Sequence, residues 1–279
     1  MYKFTSLIIV ILSCSVVFGQ QKYWQANDTN TIITTDKAVA RQSFPATFKL
    51  FHLDIDLLKQ DLSSVTSNQL GQSTIIVLPN ADGGFEQFEV FEASNFEPDL
   101  QAQFPEIRAF SGKGITDKYA TLKLSVSPQG IQTMVFRTEK EDEFIEPYSS
   151  DHTVYAVFKS RRKKGELPWT CSTVDHKIFS DLKQGIGSPN RIESSAGQLK
   201  TMRLAQSCTG EYSNYFGAFN SSQVALVLAA FNATLTRANG VYEKDLALHL
   251  NLIAGTTNVI YYNAATDPYS DAAAGANGA

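Results

Sequence analysis

Apolar positions along the chain fall into three regimes. The first is continuous: Leu7-Ile8-Ile9-Val10-Ile11-Leu12, preceded by Lys3 and closed by Val17-Phe18-Gly19. A positive start, a short apolar heart and a small-residue end describe a secretion signal, with cleavage expected between Gly19 and Gln20. The run is too short for a hydrocarbon core of roughly 30 Å, and polar Gln20-Gln21-Lys22 follow at once. The expectation is an exported chain, secreted and extracellular, that loses residues 1–19 and has no membrane partner after that.

The second regime alternates with period two. Ser73 to Leu78 is a β-branched run that ends in the turn signal Pro79-Asn80-Ala81-Asp82-Gly83-Gly84. In Phe85 to Phe91, Phe88 and Val90 alternate with Gln87 and Glu89. Ala120, Leu122, Leu124 and Val126 alternate with Thr121, Lys123 and Ser125, and Pro128-Gln129-Gly130 turns the chain into Ile131 to Phe136. That pattern predicts a hairpin with one face buried and one wet. A short helix is expected over Asp54 to Ser64. Residues 20–160 therefore read as a β-rich antiparallel domain, and no catalytic constellation stands out in it.

Lys159 to Gly165 is a basic run, and Gly185 to Gly197 is rich in Gly, Ser, Pro and Asn, so residues 161–197 read as a protease-sensitive linker. The third regime follows. Thr201 to Ser207 predicts a strand, and Ser221 or Ser222 caps a helix carrying Val224, Val227, Leu228, Phe231, Leu235, Ala238 and Tyr242 at the 3.6-residue period. Asn239-Gly240 lies near the end of that helix, Leu246 to Leu252 alternate as a strand, and Val259 to Tyr262 make another. Strand, helix, strand is a βαβ unit, so a parallel sheet begins here. Two or three strands and one helix do not close a core, so residues 198–279 are expected to be an incomplete domain. The fold class is α+β overall: an antiparallel domain, then the βαβ start of an α/β domain.

Composition narrows the function classes. A hydrophobic share of 43% supplies ample core, and a net charge of −4 provides no basic surface for nucleic acid. Cys14 leaves with the signal, so Cys171 and Cys208 remain, enough for one disulfide in an exported protein. Export favours hydrolases and binding proteins over cytosolic cofactor chemistry.

Residues 203–217 (Arg-Leu-Ala-Gln-Ser-Cys-Thr-Gly-Glu-Tyr-Ser-Asn-Tyr-Phe-Gly), Asn239 to Leu246, Ile260-Tyr261-Tyr262 and Thr266 to Tyr269 resemble the start of the catalytic domain of bacterial reprolysin-like zinc metallopeptidases, which are metzincins. Upstream, Pro79 to Gly83, Phe104 to Arg108, Ser111 to Gly114 and Glu146-Pro147-Tyr148 resemble the propeptide of the same family. The resemblance implies a zymogen: signal, propeptide, linker, then the first part of a zinc metalloendopeptidase acting on protein or peptide substrates. Metzincins hold zinc with H-E-x-x-H-x-x-G-x-x-H, in which a helix sets two His one turn apart and Glu is the general base. This sequence has only His52, His152, His176 and His249, and no His-Glu dipeptide. No catalytic residue and no zinc ligand is therefore assigned in it. The family pattern places the zinc helix downstream of Asp267-Pro268-Tyr269, which suggests a truncated chain. The competing reading is a naturally short, non-catalytic secreted protein that keeps the propeptide-like module for binding or inhibition.

Four further features need weighing. Cys171, in Pro168-Trp169-Thr170-Cys171-Ser172, resembles a metzincin cysteine switch with Ser172 where Gly is usual. A thiolate is a strong zinc ligand and would displace the catalytic water; the alternatives are a Cys171–Cys208 disulfide or an idle thiol. Glu211 is a candidate ligand for structural calcium by the same resemblance, although one carboxylate falls short of the six to eight oxygens calcium takes. His249 reads as a solvated or hydrogen-bonded strand residue rather than a metal ligand. Asn27, Asn220 and Asn232 head Asn-x-Ser/Thr sequons.

Overall fold

A computed structural model describes residues 23–27, 45, 47–66, 72–160 and 198–269. The secretion signal with Gly19 and Gln20, and the 161–197 linker with Cys171, lie outside the described residues.

Nine strands form one antiparallel sheet: β1 (Trp24–Ala26), β2 (Lys49–Leu53), β3 (Thr74–Pro79), β4 (Phe85–Glu92), β5 (Arg108–Gly114), β6 (Thr121–Ser127), β7 (Gly130–Phe136), β8 (Glu143–Pro147) and β9 (Val154–Lys159). Their order is β1-β2-β9-β8-β7-β6-β5-β4-β3, so β3 to β9 are a meander in which each strand pairs with its successor. The sheet curls until its ends meet: the Trp24 indole N–H on β1 donates to Val77 O on β3 at 2.9 Å. Helix α1 (Ile55–Ser63) starts where Asp54 accepts a bond from Leu57 N, within a residue of the predicted start. Its Leu58 and Leu62 pack with Trp24, Phe51, Leu122, Leu124 and Tyr155 inside the curl. Gly130, at φ +99°, lets the β6–β7 turn close, and an added Cβ would meet the Tyr155 hydroxyl at 2.4 Å.

Arg137, at the end of β7, is buried among three carboxylates: Glu86 at 2.7 Å, Glu143 at 2.9 Å and Asp117 at 3.0 Å. Burial alone would lower its pKa, but the bonds from Glu86 and Glu143 prevail and raise it. This cluster pins three strands together.

The C-terminal part contains β10 (Lys200–Leu204), α3 (Gly210–Tyr215), α4 (Val224–Leu246) and β11 (Leu248–Leu252), with short α2 (Pro98–Gln103) reaching it from the β4–β5 connection. Strands β10 and β11 pair in parallel, from Lys200↔Leu248 to Leu204↔Leu252, with α4 as the crossover. The predicted βαβ unit is present. By length and composition α4, with the turn before it, would pass for a membrane span, but 61% of its apolar window is buried against the protein.

Three expectations are corrected. Leu246 does not open the following strand: helix α4 runs through it, Ala247 closes the helix at φ 52°, and the strand starts at Leu248. Val259 to Tyr262 is not a strand: a 3₁₀ turn covers Ala254–Val259, and a single parallel bridge joins Ile260 to Cys208. The wet face of the β6–β7 hairpin is not wet, since Lys123 and Ser125 are each only 5% exposed. Alternation predicts a solvated face only where nothing lies across it, and α4 lies across this one.

Candidate functional site

Helix α4 crosses β5, β6 and β7 on the face opposite the α1 core. The contact is a polar seam. Asn232, Thr236, Asn239 and Glu243 follow one another at intervals of four, three and four residues, so they form one stripe of the helix. That stripe interrupts an otherwise apolar surface, and each member of it finds a partner outside the helix.

Asn95, between β4 and α2, is the hub. Its amide donates to Asn232 Oδ1 at 2.9 Å and to Thr236 Oγ1 at 2.8 Å, and its Oδ1 accepts from Asn239 Nδ2 at 2.9 Å. Asn239 also closes a two-way contact with Leu250, donating to its carbonyl and accepting from its N–H, both at 2.9 Å. Asn232 Nδ2 reaches back to Arg108 O at 2.8 Å. Every one of these amides is buried, and a buried amide is tolerated only when bonded.

The next turn of α4 is charged. Glu243 bonds Lys123 of β6 and His249 of β11, the latter at 2.7 Å. Lys123 Nζ also donates to Ser111 Oγ at 2.7 Å. Burial pushes the Glu243 carboxyl up, but the bonds from His249 and Lys123 prevail and hold it below its ordinary value. Further along the sheet Arg237 pairs with Glu146 at 2.8 Å and lies 5.2 Å from the centre of the Phe144 ring. Gly240 lets the backbone come close: an added Cβ would lie 2.6 Å from Phe136 Cε2 and 3.0 Å from Lys123 Cγ.

The predicted site residues are scattered. His249 is, of the two alternatives expected, the hydrogen-bonded strand residue: Nδ1 meets Glu243, and Nε2 lies 2.9 Å from Asn251 Oδ1 and 3.2 Å from Ser94 O. Glu211 is exposed in the first turn of α3, one residue past Gly210, whose N–H donates to Asp267 Oδ2 at 2.8 Å. Cys208 is a buried free thiol, 3.4 Å from Ser213 Oγ, which itself donates to Tyr261 O at 2.5 Å. Burial raises the Cys208 pKa, which makes it a structural rather than a reactive thiol. Asn232 of the third sequon is buried in the seam and cannot carry a glycan there.

Zinc was tested against these residues. Among the described residues no three His, Cys, Asp or Glu side chains are grouped to hold a metal ion. His249 has both ring nitrogens engaged within the fold, so the described residues do not fit a zinc centre. Asn95, Lys123 and Glu243 were missed by pattern reading, although the polar stripe of α4 was visible at helical spacing.

The fold and its seam define a two-part protein of mixed α and β structure, in which a curled antiparallel sheet holds the start of a parallel α/β unit. Residues 198–279, which include that unit, match metallo-peptidase family M12B, reprolysin-like. The match supports a peptidase by family, with protein or peptide substrates, and members of that family are typically zinc-dependent. No curated protein matches the chain, and no solved structure does.

Proposed function

We propose that this chain is the N-terminal portion of a secreted zinc metalloendopeptidase zymogen. Residues 1–19 direct export, residues 20–160 are the propeptide, and the M12B-matched residues begin the peptidase domain. The observation that carries the reading is the seam: the sheet is docked on the family-matched segment through bonded amides and ion pairs. An interface of that kind suits two parts that must hold together and later separate, because polar groups freed from it are readily hydrated.

The 279 residues contain no His-Glu-x-x-His. Among the described residues no group of His, Cys, Asp or Glu is placed to hold the metal that such an activity needs, and these residues fold and shield the start of the domain. Cys171 is the candidate inhibitory thiol on its sequence context, and Glu211 the candidate calcium ligand. The test is to express the coding sequence together with whatever follows residue 279 in frame, and to assay peptide hydrolysis with and without a zinc chelator. Hydrolysis lost on chelation supports the reading, and hydrolysis untouched by chelation overturns it. A secreted product beginning at Gln20 checks the export step.

A further inference from the structure

The β4–β5 connection is built as a separate device. Its neck is closed by the Arg108–Glu92 ion pair at 2.5 Å and by Ala93 N donating to Ala109 O at 2.9 Å. Within it Gln101 ties the loop together, donating to Phe104 O at 3.1 Å and Ile107 O at 3.0 Å. Ser94 Oγ caps Phe96 N at 3.0 Å. The segment from Ser94 to Ile107 is thus ordered by its own bonds, and what it presents outward is apolar.

That outward face does not join the sheet's own core. Phe96, Leu100 and Ile107 are buried in a second cluster with Val227, Leu228, Phe231 and Leu235 of α4 and Leu252 of β11. Phe96 also forms a parallel bridge to Leu252: Leu252 N donates to Asn95 O at 2.7 Å, and Glu97 N donates to Leu252 O at 2.9 Å. The segment therefore sits on the outer edge of β11 as an added strand would. It also supplies apolar side chains that the family-matched residues lack for a closed core.

We infer that Ser94–Ile107 is a clamp that keeps the two parts together as a non-covalent complex after the connecting chain is severed. This rests on the zymogen reading only for the occasion of the cut. The occupant of the β11 edge is this clamp, and residues 198–269 depend on it for their core. Rim contacts such as Arg203–Glu97, where Arg203 is largely exposed, set orientation and contribute little to the hold.

The test uses the full mature chain with a specific protease sequence inserted between residues 160 and 198. After cutting, the two pieces are expected to co-elute on gel filtration and to separate only in denaturant. Leu100→Ala and Phe96→Ala are each expected to weaken re-association at least roughly thirtyfold, as for buried anchor residues. Arg203→Ala is expected to change it by less than about fivefold. Hydrogen exchange on the uncut Leu100→Ala protein separates clamp release from misfolding: the Leu252 amide should lose protection while the β6–β7 amides keep theirs. Two wild-type pieces that part on cutting, or a Leu252 amide that stays protected in Leu100→Ala, would overturn the clamp. No peptidase activity enters these readouts, so either result leaves the protease reading to its own test.

Discussion

Asn95 and Asn239 are bonded to one another at 2.9 Å although 144 positions separate them. Asn95 belongs to the β4–β5 connection of the antiparallel sheet, Asn239 to the helix of the family-matched part, and both are almost wholly buried. The pair fixes how α4 lies on the sheet more strictly than apolar packing would, since an amide must meet its partner in both distance and direction. Asn95→Ala should therefore destabilise the chain by about 2 kcal/mol, because it strands donors and acceptors on Asn239, Thr236 and Asn232. Denaturant unfolding would show it as a lower midpoint.

Glu243 joins Lys123 and His249, so removing its charge leaves Lys123 buried against a neutral partner. Glu243→Gln should cost about 2 kcal/mol, discounted from the range for fully buried pairs because Glu243 is partly exposed. The depressed carboxyl pKa also sets a pH dependence. A carboxyl lowered in the folded state contributes stability above its ordinary value of 4.5, and that stability is lost as pH falls through the folded value. Wild type should thus lose stability below about pH 4.5 more steeply than Glu243→Gln, in parallel urea titrations at several pH values.

Gly240→Ala tests the close approach of helix and sheet. At an exposed helix site the change would stabilise by roughly 0.5–1 kcal/mol. Here the new methyl would lie 2.6 Å from Phe136 Cε2, so a loss of about 1–3 kcal/mol is expected instead. The double variant with Phe136→Leu should recover part of the loss, and thermal unfolding of both proteins reads the sign.

Cys208 should resist thiol reagents in the folded protein. It is buried and its pKa is raised, so its thiolate is scarce and sheltered. Alkylation followed by peptide mapping should label Cys208 only in denaturant. Labelling at the native rate of an exposed thiol would contradict the burial.

Glu211→Ala should leave stability within about 0.5 kcal/mol in calcium-free buffer, because the side chain is exposed. A calcium-dependent rise in melting temperature, present in wild type and absent in this variant, is the result that would make Glu211 a calcium ligand.

Much of this was legible in the order of residues. Period-two alternation located β3, β4, β6 and β7, Asp54 marked the start of α1, and the 3.6-residue stripe of α4 with its flanking strands defined the βαβ unit. These are local matters: side-chain period, caps and turns act within a few residues. The motifs around Cys208 and Asp267 likewise pointed to the family that the C-terminal residues match.

What the sequence could not decide is what meets what. Lys123 and Ser125 alternate like a solvated face, yet α4 covers them, because Lys123 is matched by Glu243, 120 positions away, and Ser125 donates to Gln132 O across the hairpin. Gly240 stood near the helix end in sequence, and folding makes it the point where the helix touches Phe136. The core of the C-terminal part looked unclosable from its own residues, and Phe96, Leu100 and Ile107 complete it from the other part. A one-dimensional pattern reports which side of an element is apolar, but not which distant surface will cover it. That choice rests on shape and on hydrogen-bond direction, which exist only once the chain has folded.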